Sequence, residues 1–155
     1  MSVQNQISII IPQTVIDEIT TKLKECKTAL VPFTKGLTDS ERQTILKMGD
    51  KTVSTIQKTQ SYVTTNPEFA PSYMDKVEFD KDVNVVTQLS PILNLAQQIA
   101  RDTDDTIMIA GSEAFYSALL YYGTVNEAHK KGVPTAQPIY DDLKQRFAKS
   151  PRKPK

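Results

Sequence analysis

The chain has little of what most enzymatic chemistry uses. Its 155 residues include one histidine, His129, one cysteine, Cys26, and no tryptophan. A single cysteine closes no intramolecular disulfide, which fits a reducing compartment. A ferritin-type di-iron centre asks for Glu-x-x-His pairs, yet the residue three before His129 is Asn126. A Cys/His zinc site needs more ligands than one of each, and a Ser-His-Asp or Cys-His arrangement has only His129 to recruit. Glycine is also scarce, at 5 residues, and neither G-x-x-x-x-G-K-[ST] nor G-x-G-x-x-G occurs, so no phosphate cradle is spelled out. Charge shows no excess of either sign: 19 Lys and Arg stand against 18 Asp and Glu. That balance gives no reason to expect nucleic acid or an anionic membrane as partner. Apolar runs fall far short of the roughly 18–20 residues a spanning helix needs. The short run Ile7 to Ile11 has neither a basic flank nor a small-residue cleavage site, so it does not read as a signal peptide. A cytoplasmic protein is expected.

What the sequence does carry is helical periodicity. Ile16, Ile19, Leu23, Cys26 and Leu30 repeat at alternating spacings of three and four, which places them on one stripe of a first helix. Pro12 suits its first turn, and Pro32 closes it. Thr38 followed by Glu41 spells a capping box for a second helix. That helix continues through Leu46, Gly49, Val53, Ile56, Gln60 and Val63 until Asn66 and Pro67 end it. A third helix is expected over about 75–101, with Val85, Leu89, Ile92, Ala96 and Ile99 as its seam. Pro91 lies inside it and removes a hydrogen bond at a cost of about 3 kcal/mol. The helix therefore kinks near Leu89, or breaks and restarts with Ser90 as cap; the kink is the expectation.

Asp102, Thr103, Asp104 and Asp105 read as a tight connection, with acids suited to the positive end of a fourth helix. A calcium loop is a poor match there, because Ile107 stands where the turning glycine belongs. The fourth helix then carries Ile107, Gly111, Ala114, Ala118, Tyr121, Val125 and Ala128 on its seam, and Gly132 and Pro134 stop it in the expected order. His129 reads as a helix-end residue near the negative dipole end. A short last helix over about 135–148 offers Ile139, Leu143 and Phe147. The second, third and fourth helices come out at matched lengths, each roughly 40 Å at 1.5 Å per residue. The expected fold is therefore all-α: an antiparallel up-and-down four-helix bundle with an additional C-terminal helix and an extended N-terminal segment. It forms one domain over residues 1–148, followed by a disordered basic tail over 149–155.

Two glycines fall on the expected seams, Gly49 and Gly111, each costing about 1 kcal/mol relative to alanine inside a helix. They either allow close helix approach or leave room for a ligand, with Met48, Asp50, Lys51, Ser112, Glu113 and Tyr116 around them. Asp50, Lys51, Ser112 and Glu113 would make a polar cluster if the second and fourth helices faced one another, but they contain no recognisable nucleophile–base pair. No catalytic or metal-ligating residue is singled out, and no cofactor is implied. Gln60 on the second-helix seam reads as a buried amide with a local partner, or as a point where the seam opens to solvent.

Three stretches carry a resemblance: Lys47, Met48, Gly49, Asp50 and Lys51; Ala110, Gly111, Ser112, Glu113 and Ala114 followed by Tyr121 and Tyr122; and Lys131, Gly132, Val133 and Pro134. Together they are similar to an uncharacterised family of small bacterial helical-bundle proteins, over most of the chain as far as Phe147. The resemblance implies the bundle, a bacterial origin and no established activity, and it lends no catalytic residues. The expected function is non-enzymatic and rests on protein–protein contact, with a homodimer as one form. The alternative is a small-molecule binding bundle with a pocket beside Gly49 and Gly111.

Overall fold

The computed structural model of the chain describes residues 5–147, the Asp50 side chain excepted. The expected tail over 149–155 lies outside them. Every regular element among the described residues is helical, so the chain is all-α. The helices are α1 (Gln13–Leu30), α2 (Asp39–Thr44), α3 (Asp50–Thr65), α4 (Lys76–Lys130) and α5 (Ala136–Phe147), with 3-10 turns at Val31–Phe33 and Pro67–Phe69. The chain divides into two compact units, Ile10–Ala100, and Met1–Ile9 together with Arg101–Lys155.

In the Ile10–Ala100 unit, α1 begins after Pro12, whose carbonyl accepts from the Val15 and Ile16 N–H groups. The capping box forms as its residue types require. The Glu41 N–H donates to Thr38 Oγ1 at 3.3 Å, and the Thr38 N–H donates to Glu41 Oε2 at 2.8 Å. The helix it starts is short, however. The expected second helix is two helices, because α2 ends at Ile45 in extended backbone and α3 starts afresh with Gly49 as N-cap. Gly49 is thus not a mid-helix residue, which removes the cost of a glycine in a helix interior.

α3 and the first part of α4 run antiparallel, joined by the Pro67–Phe69 turn. Asp75 caps α4 by accepting from the Val77 and Glu78 N–H groups at 3.0 Å each. Two polar bonds tie the pair together. Gln60 Nε2 donates to Asp80 Oδ1 at 2.9 Å, and Gln57 Nε2 donates to Thr87 Oγ1 at 3.1 Å. Gln60 therefore finds its partner on the neighbouring helix rather than locally. Val83, only 2% exposed, sits on the same side of α4.

The largest departure from expectation is α4 itself. No turn occurs at residues 102–105: the helix continues, and Thr106 Oγ1 donates to the Asp102 carbonyl one turn back at 2.7 Å. A helix reversal draws on a left-handed residue or a proline after the last turn, and residues 101–106 hold neither glycine nor proline. The same segment borders the division between the two units at Ala100 and Arg101. Nor does α4 restart at Ser90. Pro91 lies within the helix, and Ser90 Oγ donates to the Val86 carbonyl at 2.6 Å rather than capping a new start. Three helices of matched length do not form; α3 has 16 residues and α4 has 55.

In the other unit, α4 ends at Lys130 in a Schellman arrangement. The Gly132 N–H donates to the His129 carbonyl, the Val133 N–H donates to the Ala128 carbonyl, and Gly132 adopts φ of 77°. Pro134 follows and α5 returns antiparallel. Tyr122 lies against Phe147 with ring centroids 5.0 Å apart and is parallel to Tyr140 at 6.1 Å. His129 stacks on Tyr140 at 4.2 Å, so the histidine expected at a helix end is also part of an aromatic row. Val125 and Ala136 are buried beside it. Residues 5–12 form no helix or strand. The Gln6 N–H donates to Glu113 Oε1 at 2.6 Å.

Candidate functional site

The eight residues singled out around the two glycines fall four into each unit. In the Ile10–Ala100 unit, Met48 is 42% exposed and Gly49 caps α3. The Asp50 side chain lies outside the described residues. Lys51 is exposed in the first turn of α3, where its carbonyl accepts from Ser54 Oγ and Thr55 Oγ1. In the other unit, Gly111 and Ser112 are exposed on α4, while Glu113 and Tyr116 are half-buried. Glu113 holds the N-terminal segment and lines a cleft of about 200 Å³ with Gln6, Met108, Ile109 and Ser112. A Cβ placed on Gly49 or on Gly111 meets no atom within 4 Å, so neither glycine is pressed against a neighbour in the single chain.

A different surface emerges from the fold. α4 turns Val83 toward α3, and at 100° per residue Val85, Leu89, Ile92, Ala96 and Ile99 fall on its opposite side. Val85, Ile92 and Ile99 remain 49%, 46% and 41% exposed. Val85, Leu89, Ile92 and Ala96 form the floor of a groove of about 480 Å³, walled by Leu30 and Met48. Two hydroxyls also border it, and both are turned back on their own chain. Thr34 Oγ1 donates to the Leu30 carbonyl at 3.0 Å, and Ser90 Oγ donates to that of Val86. The groove consequently presents aliphatic surface with its hydroxyl protons already engaged.

The sequence places these residues on a helix seam, as found, but assigns the seam to an interior. The signal for something else is the charge pattern. No Asp, Glu, Lys or Arg stands anywhere from Val83 to Ala100, and between Thr106 and Asn126 only Glu113 does. A solvent-facing helix ordinarily shows a charged stripe opposite its apolar one. Here the uncharged surface meets solvent, and Leu93, Leu95, Ile107, Met108, Phe115 and Leu120 are each more than half exposed.

Two local pairs carry a shifted ionisation. Hydrogen bonds from the Thr38 backbone and hydroxyl hold the Glu41 carboxyl below its usual range. The Asp142 carboxylate, 3.1 Å from Arg146 Nε, raises the guanidinium. Both pairs are exposed, and neither contributes to the lining of the groove. No group of three or more His, Cys, Asp or Glu positioned to hold a metal ion occurs among the described residues. None of the described helices is long and apolar enough to cross a membrane. Comparison with family models, with curated proteins and with solved structures gives no match.

Proposed function

We propose that this is a non-enzymatic helical protein that acts by protein–protein contact, and that one such contact is with its own kind. The observation that carries the reading is the uncharged, exposed surface of α4. Apolar surface removed from water stabilises by about 25 cal/mol per Å², and contiguous exposed apolar patches on soluble proteins mark interaction sites. Among the described residues few apolar side chains are buried, Val83, Val125 and Ala136 being the buried hydrophobic ones. Each unit supplies an antiparallel pair, α3 with α4 or α4 with α5. A bundle of four antiparallel helices, such as the apolar spacing predicts, is reached in this reading by adding helices from a partner.

The alternative is a small-molecule binding bundle. The groove beside Met48 favours it by size, since ligand sites span about 300–1,000 Å³. Its engaged hydroxyls speak against it, because such sites orient their ligands with a few convergent polar groups. Native mass spectrometry of the chain as purified separates the two. Association at micromolar concentration without an adduct is expected. A strict monomer carrying a reproducible small-molecule mass would reverse the order of the readings.

A further inference from the structure

We infer that the groove floor on α4 pairs antiparallel with the same segment of a second copy, with Leu89 of each chain opposite Ile92 of the other. The inference rests on the self-association proposed above and names its surface, partner and register.

Three features point to a second copy. The first is the shape of the stripe. Val85, Leu89, Ile92, Ala96 and Ile99 are spaced 4, 3, 4 and 3, the narrow seam that packs knobs into the holes of a facing helix. Pro91 stands off this stripe, so it does not interrupt the packing surface.

The second is self-complementarity. In a two-fold contact, the same patch serves on both subunits and residue pairs occur reciprocally. Setting Leu89 opposite Ile92 also sets Val85 opposite Ala96, and both pairs recur across the axis. Each small alanine then meets a β-branched valine, and each leucine an isoleucine.

The third is charge. A charged partner face would lose its hydration against a surface with no ionic group from Val83 to Ala100, and such burial is costly without pairing. The uncharged run of a second copy carries no such penalty from Val83 to Gln98, and only at the ends of the contact does the register set Ile99 opposite the exposed Asp82. At the ends of the run the register brings opposite charges together. Gln88 and Leu95 flank the Leu89–Ile92 layer; Lys81 lies seven residues before Gln88, and Asp102 seven after Leu95. Lys81 of each chain therefore stands beside Asp102 of the other. Lys81 already bonds Glu78 on its own helix, but this pair is exposed and leaves its remaining donors available. Parallel pairing would instead set Lys81 beside Val86 and Asp102 beside Ile107 of the other chain, with no opposite charge for either.

The test is analytical ultracentrifugation of the full chain and two sets of variants. The wild type is expected to dimerise at micromolar concentration. Leu89→Lys should weaken association by about a hundredfold, the scale on which hot-spot residues act, with helical circular dichroism retained. Leu120→Lys, on the other unit, should leave the dimer intact. If the wild type is monomeric, the pairing and the self-association reading fall together. If a dimer persists unchanged in Leu89→Lys, only the pairing falls, and self-association survives on another surface. Should Leu89→Lys lose its helicity, charge reversal decides. Lys81→Asp alone should weaken the dimer by roughly tenfold and Lys81→Asp with Asp102→Lys restore it, a sign reversal expected of complementary charges. Failure of the double variant to restore association overturns the register.

Discussion

The two antiparallel helix pairs of this chain are closed by different chemistry. α3 and α4 are joined through amides and hydroxyls: Gln60 to Asp80, Gln57 to Thr87, with Val83 buried alongside. α4 and α5 are joined through rings, where Tyr122 meets both Tyr140 and Phe147 while His129 stacks on Tyr140. Polar bonds require particular partner atoms at particular separations, so they set register more than they add stability. Ring stacking removes a large area from water and tolerates small shifts. One pair is thus specified mainly by geometry, and the other is held mainly by burial.

The sharpest way to break the comparison is Tyr122→Ala. Two ring contacts disappear at once, and the loss should be about 2–3 kcal/mol, below the figure for a fully buried aromatic. Hydrogen exchange across α5 should rise accordingly while α3 is unaffected. Equal loosening of both pairs would show that they are not independent. Gly132→Ala comes next, because alanine at a positive φ costs about 1–2 kcal/mol. The loss should appear in thermal unfolding, again concentrated at α5. On the other side, a double-mutant cycle over Gln60→Ala and Asp80→Ala should give a coupling of about 1 kcal/mol, for a part-buried bond to a carboxylate. A coupling near zero would leave the Gln57–Thr87 bond and the burial of Val83 to hold that pair.

A smaller effect of opposite sign is expected at Gly111. The space around it is open, so Gly111→Ala should raise stability by about 0.5–1 kcal/mol through helix propensity alone. A loss instead would mean that another chain approaches that face closely. The smallest effect concerns pH. The folded Glu41 carboxyl titrates below its ordinary value because Thr38 donates to its charged form. Its contribution to α2 is therefore complete above that value and is lost as pH falls through the lowered folded value. Protection of the α2 amides, referred to the intrinsic exchange rate at each pH, should fall in acid, and Glu41→Gln should abolish that dependence on pH.

Much of this architecture was legible where the cause is local. Thr38 and Glu41 form the box their residue types announce, Asn66 ends α3, and Gly132 with Pro134 ends α4, because each depends on atoms a few residues apart. The apolar stripes were equally legible, since 3.6-residue periodicity is a property of the chain. Gly49 was misplaced because a weak helix position and a helix boundary look alike in sequence; only the extended backbone at Ile45 separates them. The candidate site around the glycines was legible only as a set of residue types. The groove was not, because it takes side chains distant in sequence, Met48 and Leu89 among them, to make one surface.

The sequence by itself determined the helical class, the caps at several helix ends and which residues share a stripe. Backbone hydrogen bonding and side-chain spacing act within a turn or two and need nothing else. Tertiary structure alone decided which stripes would be covered: Val83 is buried, whereas Val85, Ile92 and Ile99 remain exposed. That depends on how much apolar area distant segments bury against the conformational entropy of bringing them together. The balance is a property of the whole chain, and here it leaves one stripe of α4 facing outward.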